Sequence, residues 1–545
     1  MTWFDAHMAV LPVLLPALTA MMLLLLGDHG GDSHGGHGHH KLLWARRLGL
    51  ASTALGLILA LALLLRAAEG ELITYRMGDW PAPFGIILLV DRLGAMMLVL
   101  SACVALPVLW YATGGWDAHG HYFHALFQFQ LMGLNGAFVT GDLFNLFVFF
   151  EVLLIASYVL MVHGQGAQRF RVGLHYVVLN LVASALFLIG LALIYAKTGT
   201  LNMADLGLRV PAVSAPDAAV LQVAAMLLLV VFGFKAALMP LALWLPATYA
   251  AASPPVAALF AIMTKVGVYA IWRVHGVTFG DIGGASAFAV APVLLPLALA
   301  TSVLAVLGAL AAQTLARLVA WLTVASVGTV LAGLGLYSSP AWGAALYYML
   351  NSTLVIAALF LLAELVAAQR GDAAGQLVPA APVAQPTLLG LMLLLAAASA
   401  AGLPPLPGFI GKLMLLEASS THVWAPVVWT VLLLVGFLTL LGLARAGSIL
   451  FWHVRQDVPA SVSAGGSPKL VLATCILLGA SVVLSLAAAP IQRYTQAAAE
   501  QLTDRSAYAA AALGAYGAQG SPPTTRPYRD SAQPSSPSPL QEAKP

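Results

Sequence analysis

Cysteine and charge are what this sequence has least of. Its 545 residues hold two cysteines, Cys103 and Cys475, both in apolar surroundings. Two thiols cannot supply a four-cysteine iron–sulfur cluster or a disulfide framework, so they read as small core hydrophobes. Charged residues make up 8% of the chain against 61% hydrophobic, a balance no ordinary soluble domain shows. The net charge of +3 is too slight to imply a nucleic-acid partner. Phosphate motifs are missing as well. GFIGK (Gly408 to Lys412) superficially fits a phosphate loop, but Leu413 follows where Ser or Thr is required and the first glycine is misplaced. No dinucleotide fingerprint follows a strand. The chain is therefore expected to bind no cofactor, and to draw its energy from ion gradients or partner subunits.

What is present is a succession of apolar segments about 20 residues long, the length that spans hydrocarbon. Fourteen spans are expected, starting near residues 8, 43, 85, 122, 143, 171, 219, 254, 287, 318, 341, 387, 425 and 469. The fold class is thus an all-α polytopic membrane protein embedded in a lipid bilayer. Residues 1–84 hold two spans and a His-rich loop, 85–455 the core, 456–490 the last span, and 491–545 a Pro-, Ser- and Ala-rich tail expected to be disordered. The N-terminal MTWFDAHMAV lacks the basic residues of a cleaved signal peptide, so the first span is expected to stay. Loops after odd-numbered spans carry nine basic residues (Lys41, Arg46, Arg47, Arg169, Arg171, Arg317, Arg370, Arg455, Lys469). Those after even-numbered spans carry five (Arg66, Arg76, Lys197, Arg209, Arg273). By the positive-inside rule the first set is cytoplasmic, which puts both termini outside the cytoplasm of a bacterial inner membrane.

Against this apolar background a few ionisable groups stand out. Three of the seven lysines, Lys235, Lys265 and Lys412, lie within spans, as does Glu151 at the end of GDLFNLFVFFE. A charged side chain at mid-bilayer costs about 3 kcal/mol on insertion scales, so such groups face the protein interior and mark proton or ion paths. Burial disfavours the charged form and makes proton exchange near neutrality accessible. A carboxylate with two lysines in successive spans forms a coupled relay; a static buried ion pair is the bland reading. Two stretches look like broken helices, VFGFKAALMPLALWLP (Val231 to Pro246) and AGLPPLPGFIGKLMLLEA (Ala401 to Ala418). Each sets Gly-Phe and prolines beside a lysine, and interrupted helices in corresponding halves point to a transport site.

Accessory candidates carry weaker signals. Asp142 precedes the fifth span and could line an entrance or sit in a loop. Glu364, late in the eleventh span, reads equally as relay or interfacial anchor. His175, Tyr176 and Asn180 on the sixth span and Asn351 to Thr353 on the eleventh read first as helix-packing glue. Asp91 and Arg92 read as a local pair, Arg317 as the cytoplasmic end of the tenth span, and Glu417 as near the outer surface. The loop GDHGGDSHGGHGHHK (Gly27 to Lys41) has a metal-binding composition, but nothing in it fixes ligand geometry, so a solvated loop comes first.

Taken together, GDLFNLFVFFEVLLIASYVL, FGFKAALMPLALWLPATYAAASPPVAALFAIMTKVGVYA, RLVAWLTVAS and GLPPLPGFIGKLMLLEA resemble the antiporter-like subunits shared by respiratory complex I, membrane-bound hydrogenases and Mrp-type multisubunit cation/proton antiporters. The Glu151 stretch and the length of the core most resemble the D-type members of the Mrp branch. The resemblance implies fourteen helices, with spans four to eight and nine to thirteen related as inverted five-helix repeats. It implies that Glu151 is the ion-pair partner of Lys235, that Lys265 passes protons to the centre, and that Lys412 completes the route. It further implies other complex subunits as partners and protons with a monovalent cation such as Na+ as cargo. Lysine in the twelfth span, where one complex I homologue carries glutamate, argues against that orthologue. The expected function is therefore a proton-translocating subunit of a multisubunit Na+/H+ antiporter, not an enzyme. The alternative is the proton-pumping membrane subunit of an NADH:quinone oxidoreductase or membrane-bound hydrogenase. A stand-alone channel suits alternating acid and base sites less well.

Overall fold

In hydrocarbon every backbone N–H and C=O must find its partner within the protein, and a single segment can do that only as a helix. The computed structural model describes residues 3–27, 37–80, 82–455 and 466–514. The first part comprises α1 (Trp3–His7), α2 (Leu11–Leu26), α3 (His37–Ala68), α4 (Arg92–Ala112), α5 (Phe123–Val139), α6 (Leu143–Val162) and α7 (Ala167–Thr198). The middle comprises α8 (Met203–Arg209), α9 (Ala215–Ala236), α10 (Trp244–Ala251), α11 (Pro254–Ile271), α12 (Ala291–Leu310), α13 (Leu315–Gly335) and α14 (Ser339–Ala367). Last come α15 (Pro386–Ala401), α16 (Pro407–Ser419), α17 (Ala425–Phe451), α18 (Pro468–Leu486), α19 (Ala488–Thr503) and α20 (Arg505–Leu513).

Every one of the fourteen expected spans contains a helix, and eleven among the described residues are long and apolar enough to cross a bilayer. The three shorter ones are α2, α5 and α15, the last continued by α16. Local chemistry sets the boundaries. Asp91, Asp142 and Thr314 accept hydrogen bonds from the backbone N–H three residues on, capping α4, α6 and α13. Proline opens α9, α11, α14 and α15 to α18, where its missing N–H costs nothing.

The most apolar stretches of α11, α13 and α14 are 100%, 94% and 94% buried, so these three helices form the centre of the bundle. Gly267 lets α11 press against α9: a Cβ there would stand 2.5 Å from the Ala236 nitrogen. The lysine of each helix, Lys235 on α9 and Lys265 on α11, lies within two residues of that contact.

Both expected breaks are present. α9 ends where Ala237 takes φ +65°, ahead of a cis Met239–Pro240 bond; α15 ends at Gly402, φ +87°, ahead of a cis Pro404–Pro405 bond.

Three features depart from the sequence reading. Residues near 85 do not begin the third span: Ile73–Arg76 (β1) and Ile87–Val90 (β2) pair antiparallel, Ile73 opposite Val90, and α4 starts only at Arg92. Their short apolar runs lie next to a span and merge with it on a hydropathy reading. Asp91 pairs not with Arg92 but with Arg273 at 2.6 Å, both buried, across 182 residues of sequence. Arg92 instead donates to the carbonyls of Ala67, Ala68 and Ala497. Residues 491–514, assigned to the disordered tail, belong to α19 and α20. Alanine is the strongest helix former, and Ala498, Ala499 and Leu502 give α19 a buried apolar face that packs down on the bundle. The remainder of the tail lies outside the described residues. So do His29 and His34 of the His-rich loop, and among the described residues no group of His, Cys, Asp and Glu could hold a metal.

Candidate functional site

The two breaks dispose of their freed carbonyls differently. At the first, the backbone and one indole suffice: Leu238 N–H donates to Gly233 O, Ala237 N–H to Phe234 O, and Trp244 Nε1 to the same Phe234 O at 3.1 Å. Lys235 is left out of this scheme. Its buried Nζ makes no hydrogen bond and stands 5.0 Å over the ring of Phe150. Glu151, next to Phe150, accepts a hydrogen bond from Ser184 Oγ of α7. The expected Glu151–Lys235 pair is not in direct ion-pair contact, since the carboxylate is bonded to Ser184 of α7 and the ammonium stands over the Phe150 ring, but the two charges remain near enough to attract one another.

At the second break the lysine itself is the cap. Lys412 Nζ donates to the carbonyls of Ala401 (2.7 Å) and Ala400 (3.4 Å), placing an ammonium at the negative end of α15. Glycines make the room: a Cβ on Gly402 or Gly436 would lie 3.3 or 3.2 Å from Nζ. Beside it Asn351 Oδ1 accepts from Ser399 (3.0 Å) and Ser481 (2.8 Å), tying α14 to α15 and α18.

Lys265 connects the two halves. Its Nζ donates to Ser326 Oγ of α13 at 3.1 Å. Ser326 also lines a cavity of about 20 Å³ shared with Asn351, Tyr348, Thr439 and Lys412. That volume suffices for one water. Lys265, Ser326, a water-sized gap and Lys412 therefore follow one another in the centre of the bundle.

A larger cavity, about 690 Å³, opens at the end bearing Arg169 and Arg317. Glu364 and Arg169 line it. Its floor includes Tyr249, whose hydroxyl donates to Phe260 O and whose ring packs against Phe360. Ala257 is also on that floor, and Lys265 lies eight residues further along α11, about 12 Å.

The same sequence and fold recur in known proteins. The family described as NADH:quinone oxidoreductase/Mrp antiporter, TM, matches residues 140–442. The chain belongs to this family. A probable K+/H+ antiporter D subunit of Rhizobium meliloti is 40% identical over 538 residues, covering 92% of this chain and 96% of its own length. An Na+/H+ antiporter D subunit of Alkalihalophilus pseudofirmus is 36% identical over 512 residues, covering 92% and 98%. Among solved structures, a chain of the Mrp complex from Dietzia sp. DQ12-45-1b superposes with a TM-score of 0.81 at 26% identity, covering 94% of this chain and 100% of that one. A chain of respiratory complex I from Thermus thermophilus shares the fold, with a TM-score of 0.67 at 24% identity over 88% of this chain and 98% of that one.

All four principal residues fall within the part of the chain that the family model matches; Lys412 lines the small cavity, and Lys265 reaches its edge through Ser326. Of the accessory candidates, Asn351 joins that cavity and Glu364 lines the larger one. Asp142 is a helix cap, its Oδ1 accepting from Asn145 N–H at 2.9 Å. Burial pushes its carboxyl up to about 6, against the pull of the backbone N–H groups of Asn145 and Phe144. His175 is exposed on α7, turned away from Tyr176 and Asn180, which are buried. Two participants escaped the sequence reading, Ser184 on Glu151 and Ser326 on Lys265. Each is the single serine of an apolar helix, and only the fold shows that it faces a charge.

Proposed function

We propose that this chain is the proton-translocating subunit of a multisubunit monovalent cation/proton antiporter, with Glu151, Lys235, Lys265 and Lys412 as its relay. The observation that carries the reading is the succession Lys265, Ser326, water-sized cavity, Lys412 across the centre of the bundle. Relatives named as antiporter subunits over nine-tenths of the chain favour the antiporter over the redox-driven alternative, for which the jointly named family and the shared fold speak. The breaks fall in the seventh and twelfth spans, the fourth of each five-helix set, which supports the inverted-repeat arrangement. In this reading the larger cavity faces the cytoplasm and both termini lie outside it. Glu151, through Ser184, and the unpaired Lys235 start the relay. A proton gained or lost at one site changes the electrostatic cost at the next, and each charge crossing the field is worth about 2.3 kcal/mol per 100 mV.

The test is cation-dependent proton flux in vesicles containing the whole complex. Lys235→Ala and Glu151→Ala complexes should assemble, judged by co-purifying subunits, yet lose pH-driven transport. Wild-type flux in either variant would sink the relay.

A further inference from the structure

We propose that the cradle around Lys412 is also a binding site for a dehydrated alkali cation, which occupies it when the lysine gives up its proton and withdraws. The proposal rests on the relay reading for its biological sense, but not for its geometry or its test.

The cradle is built for a small cation. Its floor is the C-terminal end of α15, where the Ala400 and Ala401 carbonyls point at Lys412 Nζ and are its hydrogen-bond acceptors. Half-helix C-termini and unwound carbonyls are how interrupted helices hold monovalent cations within membranes. Its walls are Gly402 and Gly436, and a Cβ on either would press on the ammonium. The ammonium is therefore a stand-in: it marks where a charge of that size and sign is stable. An ammonium head and a potassium ion are close in radius, so the vacated space suits K+ better than the smaller Na+.

A second observation comes from the neighbouring amide. Asn351 Nδ2 is buried, makes no hydrogen bond, and belongs to a residue lining the cavity beside Lys412. A buried amide N–H₂ left unpaired is costly. A half-turn of this amide resolves the cost, because Nδ2 then donates to the Ser399 and Ser481 hydroxyls that Oδ1 now accepts from. The turn places Oδ1 where Nδ2 now stands, beside Gly408, on a residue that lines the cavity, and so offers a third oxygen there. Thr439 on α17 adds a hydroxyl to the lining, and the cavity has room for one water.

The charges around the site define what competes. From α14 the facing titratable group is Tyr348; α13 brings Ser326 with Lys265 behind it; α15, α17 and α18 bring Ser399, Thr439 and Ser481. Glu417 on α16 is exposed. Among the described residues no carboxylate lines the cavity. Two positive charges cannot share such a site, so proton on lysine and metal on carbonyls exclude each other.

The experiment measures equilibrium binding of ⁸⁶Rb⁺, a potassium surrogate, and ²²Na⁺ to the detergent-purified complex across pH. In wild type, Rb⁺ binding should rise with pH as Lys412 releases its proton. Lys412→Ala should keep Rb⁺ bound at acid pH, where wild type has lost it, and adding Gly436→Ala should remove that binding. Gly436→Ala alone, which keeps the lysine, should abolish the alkaline Rb⁺ binding, so the proposal is tested even if Lys412→Ala fails to assemble. An unchanged pH curve in Lys412→Ala, or undiminished binding in Gly436→Ala, overturns it. Preference for ²²Na⁺ over ⁸⁶Rb⁺ overturns the assignment to potassium's size. Because binding is read without transport, wild-type flux in Lys235→Ala would remove the relay and leave this result standing.

Discussion

At the scale of single residues, two lysines of the same type in matching breaks are in opposite circumstances. Lys412 satisfies carbonyls that have no other donor, whereas Lys235 satisfies nothing. Removing the first should strand two buried acceptors, at a cost of about 1–3 kcal/mol. Removing the second deletes a buried ammonium that makes no hydrogen bond, so no carbonyl or hydroxyl loses its donor. Lys412→Met is therefore expected to lower the thermal unfolding midpoint of the purified protein, and Lys235→Met to leave it unchanged or raise it. The order of the two midpoints is the readout, and the reverse order would contradict the assignment. Both lysines were legible in the sequence because a cation in a long apolar run is conspicuous. Their contrasting partners were not legible, since a helix end, an indole and a serine become partners only through packing.

At the scale of elements, the breaks were legible too, because proline and glycine interrupt a helix by local sterics alone. The β1–β2 hairpin and α19–α20 were not, since their runs are short or small-residue and their stability comes from what they cover. Helix starts offer a test tied to pH. Asp142 caps α6 and its carboxyl is pushed up to about 6, so folding favours the neutral form there. For an acid raised on folding, the stabilising contribution is present below the unfolded value, near 3.9, and disappears as pH rises through about 6. Asparagine caps as well as aspartate. Asp142→Asn should thus match wild type in melting temperature at acid pH and exceed it above pH 6, measured by thermal melts of the solubilised protein; equal curves throughout would refute the raised carboxyl.

At the scale of the whole molecule, the C-terminal helices fasten one end of the bundle. Tyr494 and Gln501 of α19 hold Arg92, Arg505 pairs with Asp281 at 2.5 Å, and Tyr508 of α20 lies against Arg273 of the buried Asp91 pair. Truncation after Ala487 should therefore lower the melting temperature and increase proteolytic cutting of the 273–290 segment, while α11 and α13 keep their contact. Unaltered cutting would show that α19 and α20 are dispensable to that end. The opposite behaviour of the two breaks has one more consequence. At α15 the ammonium of Lys412 is also a fastener of the backbone, so in the proposed relay emptying that site would slacken a joint; at α9 the joint closes without its lysine. In the relay proposed above, one half of the chain would thus be a silent carrier, and the other would feel each proton as a mechanical load.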